Sequence, residues 1–92
     1  MRSEIVEVLS DQTNAVIMRH PARAYPGVLV QGDSLYTLCQ RADAACNEVG
    51  RGQPGFSEVN FLRNALWVYL THYKVSLFEH GIAVPFSEDS VP

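Results

Sequence analysis

The residues best suited to binding a ligand lie between positions 19 and 25, where the sequence reads Arg-His-Pro-Ala-Arg-Ala-Tyr. Arginine binds carboxylates and phosphates through paired hydrogen bonds, so Arg19 and Arg23 indicate an anion site. Gly-Asp-Ser follows at a predicted helix start, whose free backbone N–H groups also favour an anion. We therefore predict a ligand site with five members: Arg19, Arg23, Tyr25, Gln31 and Asp33. In the alternative interpretation, the two arginines are solvated or paired with carboxylates: Glu4, Glu7 or Asp33.

The sequence predicts no catalytic residue. Ser34, in Gln-Gly-Asp-Ser, would need a base to act as a nucleophile, and the three histidines stand at no recognised spacing from it: His20, His72 and His80. No pair of histidines or carboxylates has metal-ligand spacing, and the sequence has no glycine-rich phosphate loop. We expect no metal site, no cofactor and no enzyme. Ser34 is interpreted as a first-turn helix residue.

The two cysteines, Cys39 and Cys46, are seven residues apart in one predicted helix. At about 1.5 Å rise per residue their Cα atoms would be roughly 10 Å apart. A disulfide requires less than about 7 Å. We predict two reduced, buried thiols that act as small apolar side chains.

Three strands and two helices are predicted from the apolar pattern. Alternating and β-branched segments indicate strands over 4–10, 15–20 and 28–31. The first helix runs from an N-cap at Asp33 to Val49, and the second from an N-cap at Ser57 to His80. The predicted fold class is α+β: a three-stranded antiparallel sheet packed against an antiparallel two-helix hairpin. We expect one domain over residues 1–86 and a flexible tail over 87–92.

The second helix is apolar on more sides than a surface helix needs. Its predicted core stripe faces the sheet and the first helix: Val59, Leu62, Ala65, Leu66, Tyr69, Leu70, Tyr73 and Leu77. Phe61, Val68 and Val75 form a flank. Trp67 and Phe78 lie opposite the core stripe among cations, and either the tail after Gly81 folds back over them or they bind a partner. For the second case we predict a contact surface or dimer interface with four members: Arg63, Trp67, Lys74 and Phe78.

Residues 14–35 carry a specific motif: Asn-Ala, then Arg-x-Pro-x-Arg-x-Tyr-Pro-Gly-Val, then Gln-Gly-Asp-Ser-Leu. This segment resembles a family of small bacterial proteins of unknown function, and the likeness extends over roughly residues 4–85. The resemblance implies a bacterial source and the same strands-then-helices fold, but no activity. It draws attention to Arg19, Arg23, Gln31 and Asp33.

Composition limits the functions to consider. The chain has 92 residues, 47% of them hydrophobic, and a net charge of −3, which is typical of a globular domain without general affinity for nucleic acid. No apolar run is long enough to span a membrane, and the N-terminus lacks the apolar core of a signal peptide, so we expect a cytoplasmic protein. We predict a non-enzymatic protein-interaction module that binds a protein partner or forms a homodimer, such as an immunity or regulatory protein for a bacterial partner. The alternative is a small-anion or nucleotide-like ligand binder that uses the residues from Arg19 to Tyr25 and the helix start.

Overall fold

The computed structural model describes residues 1–87, and the contacts within it divide the chain into two compact units, Met1–Gln31 and a second that begins at Gly32. The elements follow in the order β1 (Glu7–Ser10), β2 (Ala15–Arg19), β3 (Gly27–Val30), α1 (Gly32–Val49) and α2 (Phe56–Glu79). The α+β prediction, with a three-stranded antiparallel sheet and two helices, is confirmed. One domain over residues 1–86 stays a prediction. Residues 88–92 of the expected tail lie outside the described residues.

The first unit is an antiparallel meander with β2 in the centre. Ala15 pairs with Val30 in regular register with β3, whereas the β1 ladder shifts between Val8 and Ser10. An extra residue in one strand of a pair is a β-bulge, which bends that strand and increases its twist. Strand β1 is shorter than predicted, because pairing begins only at Glu7.

Helix α1 begins at Gly32, one residue before the predicted cap. Asp33 lies inside the first turn, where its carboxylate accepts a hydrogen bond from the Ser34 N–H at 2.9 Å. The helix ends at Val49 as predicted. Gly50 follows in the left-handed region (φ 84°) and donates its N–H to the Cys46 carbonyl at 3.0 Å, which terminates the helix.

Helix α2 is a single unbroken helix of 24 residues, about 36 Å long. The predicted cap at Ser57 is wrong, because Gly55, in the left-handed region (φ 86°), precedes a helix that starts at Phe56. At the other end Gly81 donates to Phe78, and Ile82 donates to Leu77 at 2.9 Å. These paired bonds form a Schellman motif and confirm Gly81 as the stop. Neither helix within residues 1–87 is long and apolar enough to cross a membrane.

The helices pack as an antiparallel hairpin, with small residues of α1 facing large residues of α2. Gly32, at the start of α1, lies under the ring of Tyr73, so close that a Cβ on the glycine would overlap that ring. Eleven residues further along α1, Asp43 bonds to Trp67 of α2. Between these two points Cys39 and Leu70 are fully buried. Close helix approach therefore depends on the small side chains of α1.

The segment after α2 returns to the start of α1. Phe86 stacks on Tyr36 with ring centroids 4.2 Å apart and planes nearly parallel. The Tyr36 hydroxyl donates to the Ser87 carbonyl at 3.1 Å. The segment that follows α2 therefore adds an aromatic contact to the hairpin at the level of Tyr36.

Candidate functional site

A broad apolar surface lies on the side of α2 that points away from α1. We define the outer stripe by its five exposed members: Phe61, Leu62, Val68, Tyr69 and Val75. They recur every seven residues, which is two helical turns within about 20° and keeps them on one side. Phe61 is 71% exposed and Tyr69 is 65% exposed. The chain thus presents an almost continuous apolar ridge to solvent.

The outer stripe carries no charged side chain between Glu58 and Glu79; Ala65, His72 and Ser76 complete that side of the helix. An aromatic side chain has about 150–250 Å² of surface, and an aliphatic one has somewhat less. Multiplied by the exposed fractions, the five side chains give the outer stripe an exposed apolar surface of roughly 550 Å². The largest apolar patch on an ordinary monomer is about 300–600 Å². The outer stripe is at the top of that range.

The predicted core stripe is wrong at Leu62 and Tyr69, which are exposed instead of packed. Because α2 is apolar around its circumference, its own pattern does not determine which side is buried. Contacts with α1 determine which side of α2 is buried. The Tyr73 ring packs over Gly32, and the Trp67 N–H donates to the carboxylate of Asp43. These two contacts orient α2 so that Leu62 and Tyr69 face outward.

The structure does not bring the four predicted partner-binding residues together on an exposed face. Trp67 is half-buried and its indole N–H donates to Asp43 of α1 at 3.0 Å. Arg63 donates to Asn60 at 2.9 Å, and its Nε lies 4.0 Å from the same carboxylate oxygen of Asp43. Their predicted role in binding stays a prediction.

The other two members differ from each other. Lys74 is half-buried, whereas Phe78 is 85% exposed. The returning segment stacks on Tyr36 and leaves Phe78 uncovered. Trp67 itself still reaches the surface, since it lines a groove of about 630 Å³ together with Val68 and Val75.

A second groove, of about 750 Å³, lies at the C-terminal end of α2 and is named here the terminal groove. Its apolar lining comes from Val75, Phe78, Ile82, Ala83 and Val84, and the charged side chains of Lys74 and Glu79 complete it, so that the predicted partner residues Lys74 and Phe78 line the same groove. The Schellman turn places Ile82 back against the last turn of the helix. Val75 belongs to both surfaces, so the terminal groove continues the outer stripe.

The predicted ligand site is assembled only in part. Arg23 and Tyr25 line one pocket of about 290 Å³ on the first unit, together with His20. His20 Nδ1 accepts the Ala22 N–H at 3.0 Å, so the neutral ring carries its proton on Nε2. Arg23 forms no ion pair with a carboxylate of residues 1–87.

The remaining predicted ligand residues lie elsewhere or have local partners. Arg19 is opposite Glu7 in the sheet, with 3.7 Å between guanidinium and carboxylate, as the alternative interpretation expects. Asp33 accepts the Ser34 N–H in the second unit, and Gln31 is the last residue of the first. The ligand-binding roles of these residues remain predictions.

Both cysteines are free and buried in the helical hairpin. Burial raises the pKa of the Cys39 thiol, and the negative charge of Asp43 raises it further. A protonated thiol is a poor nucleophile and a poor metal ligand. Within residues 1–87, His, Cys, Asp and Glu side chains form no group of three that could hold a metal ion.

A protein-family model matches residues 1–86, nearly the whole chain. The chain belongs to DUF6959, a family of unknown function. Comparison with curated proteins and with solved structures found no match.

Sequence reasoning placed three members of the outer stripe on a flank and two in the core, so it missed the surface as a unit. The available signal was the seven-residue recurrence of Phe61, Val68, Val75 and Ile82. In the DUF6959 chain that recurrence marks the exposed side, because the inner side is occupied by α1.

Proposed function

We propose that this DUF6959 chain is a non-enzymatic protein-interaction module that binds a protein surface through the outer stripe of α2. The exposure of five apolar side chains on one helix side carries the proposal. Extended apolar patches on soluble domains typically mark interaction sites, and aromatic residues dominate the binding energy of interfaces. The outer stripe contains two aromatic side chains, Phe61 and Tyr69, and Phe78 lies at its end.

The process we propose is an immunity or regulatory role toward a partner in the bacterial cytoplasm. Its support is the resemblance to small bacterial proteins, together with small size and a net charge of −3. The same negative charge argues against nucleic acid as the partner.

A photo-crosslinking residue at position 69 tests the interaction in cells. We expect one discrete crosslinked product, because the Tyr69 side chain would lie against the partner. The matched control carries the same residue at position 40, since Gln40 is an exposed helix residue of α1. Equal crosslinking at positions 69 and 40 would contradict the proposal.

The second candidate function is binding of a small anion or nucleotide-like ligand. It is favoured by the pocket that Arg23, Tyr25 and His20 share, and by an Arg23 guanidinium without a carboxylate partner in residues 1–87. Phosphate, citrate and a nucleoside monophosphate should raise the melting temperature, and Arg23→Ala should abolish the rise. Arg51→Ala, at an exposed loop position, is the control. No shift with any of the three anions would contradict this function.

A further inference from the structure

We infer that the partner on the outer stripe is a second copy of this chain, docked antiparallel about a twofold axis that passes near Val68. The inference rests on the interaction surface of the proposed function and assigns a second copy to the outer stripe, in place of an unlike partner at that surface. Three properties of the outer stripe support it: its symmetry, its lack of charge and its area.

Three of the five members of the outer stripe are arranged symmetrically about Val68, whereas the positions related to Leu62 and Tyr69 by the same axis lie outside the stripe. Phe61 and Val75 each lie seven residues from Val68, about 10 Å along the helix in opposite directions. A twofold axis at Val68 therefore places Phe61 of one copy over Val75 of the other, twice. An isologous interface requires a surface that matches itself in this way. The antiparallel arrangement also opposes the two helix dipoles favourably.

The outer stripe has no charge with which to select an unlike partner. Interfaces between different proteins use complementary charges to choose partners and to exclude wrong ones. Between Glu58 and Glu79 this side of α2 has none of Asp, Glu, Lys or Arg. Between these two glutamates a second copy therefore meets no like charge, and the match is made by shape and apolar contact; Glu58 of one copy and Glu79 of the other lie near each other only at the two ends of the contact.

The area suits a dimer. With Phe78 and Ile82 of the terminal groove, the exposed apolar surface rises to roughly 800 Å² per chain, because another aromatic and another aliphatic side chain are added. Stable interfaces bury about 800 Å² on each partner. The outer stripe thus reaches the area of one specific dimer contact when the contact also covers the terminal groove.

Sedimentation equilibrium of the purified chain tests the association. The chain has a mass of 10.2 kDa, and we expect a species of twice that mass at micromolar concentration. Val68→Asp would bury two unpaired carboxylates on the axis and should raise the dissociation constant on the order of 100-fold. Leu38→Asp is the matched control, since Leu38 is an exposed apolar residue on α1, and it should leave the dimer intact. Circular dichroism verifies that both variants keep their helices.

Single cysteines test the direction of packing. In the antiparallel dimer Val68→Cys should form an intermolecular disulfide under mild oxidation, because the two positions meet at the axis. Phe61→Cys alone and Val75→Cys alone should not, but their mixture should. The buried native cysteines give the background in the wild type. Efficient self-linking of Phe61→Cys would overturn the antiparallel arrangement.

The outcomes separate this inference from the proposed function. A monomeric wild type that still gives a crosslink at position 69 to another protein would overturn the dimer and leave the interaction module standing. A monomer without any specific crosslink at that position would overturn both. A dimer unaffected by Val68→Asp would overturn the outer stripe as its interface.

Discussion

Gly32→Ala should destabilise the helical hairpin, although alanine is the better helix former. A Cβ at position 32 would overlap the Tyr73 ring, and Gly32 is already buried. Forcing an extra methyl group into a packed contact costs about 1–3 kcal/mol. The gain from replacing glycine by alanine is at most about 1 kcal/mol in a helix interior and is smaller at Gly32, which is the first residue of α1. The free energy of unfolding should therefore fall by about 1–2 kcal/mol, which in a domain of this size lowers Tm by roughly 5–15 °C.

Urea denaturation followed by far-ultraviolet circular dichroism measures this loss, and a second background isolates its cause. With Tyr73→Leu the aromatic ring is absent, so Gly32→Ala should become neutral or stabilising there. Gly27→Ala is the control, since no atom lies within 4 Å of a Cβ at that glycine. The reasoning is refuted if Gly32→Ala is as stable as the wild type, or if its loss persists without the Tyr73 ring.

Three further predictions concern the two helices. Leu70→Ala should lower the free energy of unfolding by about 2–5 kcal/mol because Leu70 is fully buried, whereas Gln40→Ala, at an exposed site of α1, should change it by less than about 0.5 kcal/mol. Similar losses for the two variants in denaturant titrations would contradict the assigned faces. Trp67→Phe removes the N–H donated to Asp43 and should lower the free energy of unfolding by about 1 kcal/mol. In an Asp43→Ala background the same substitution should cause no additional loss, and an additive double mutant would count against the bond. Burial raises the pKa of Cys39, so its contribution to stability is complete below the ordinary thiol pKa of about 9 and is lost as pH rises toward the higher folded-state value. The free energy of unfolding should therefore decline at alkaline pH, and Cys39→Ala should remove the part of that decline that comes from this thiol. An unchanged decline in the variant would reject the effect.

The elements were predictable from sequence because their signals are local. Left-handed glycines stop both helices, and β-branched residues mark the strands. The helix starts were less accurate. At α2 the backbone of Gly55 takes the place of the expected Ser57 side-chain cap, a choice that the pattern of polar residues does not reveal.

The buried side of α2 was not predictable from α2 alone. Its apolar residues surround the helix, so the apolar pattern does not single out one side. The side that is buried depends on contacts with a distant part of the chain. Two contacts determine the buried side: the Tyr73 ring packs over Gly32, and the Trp67 N–H donates to Asp43. Recognising it from sequence would require knowing that a glycine and an aspartate in α1 face α2.

The strand order gives the two edges of the meander unequal protection against forming intermolecular sheets. Strand β1 bears Glu7 and an irregular register beyond Val8, and both features hinder the addition of a foreign strand. Strand β3 is regular over Gly27–Val30, and Val28 is 63% exposed. On heating or at high concentration, fibrillar aggregates should therefore grow from β3, and Val28→Lys would act as a gatekeeper that keeps the preparation dispersed.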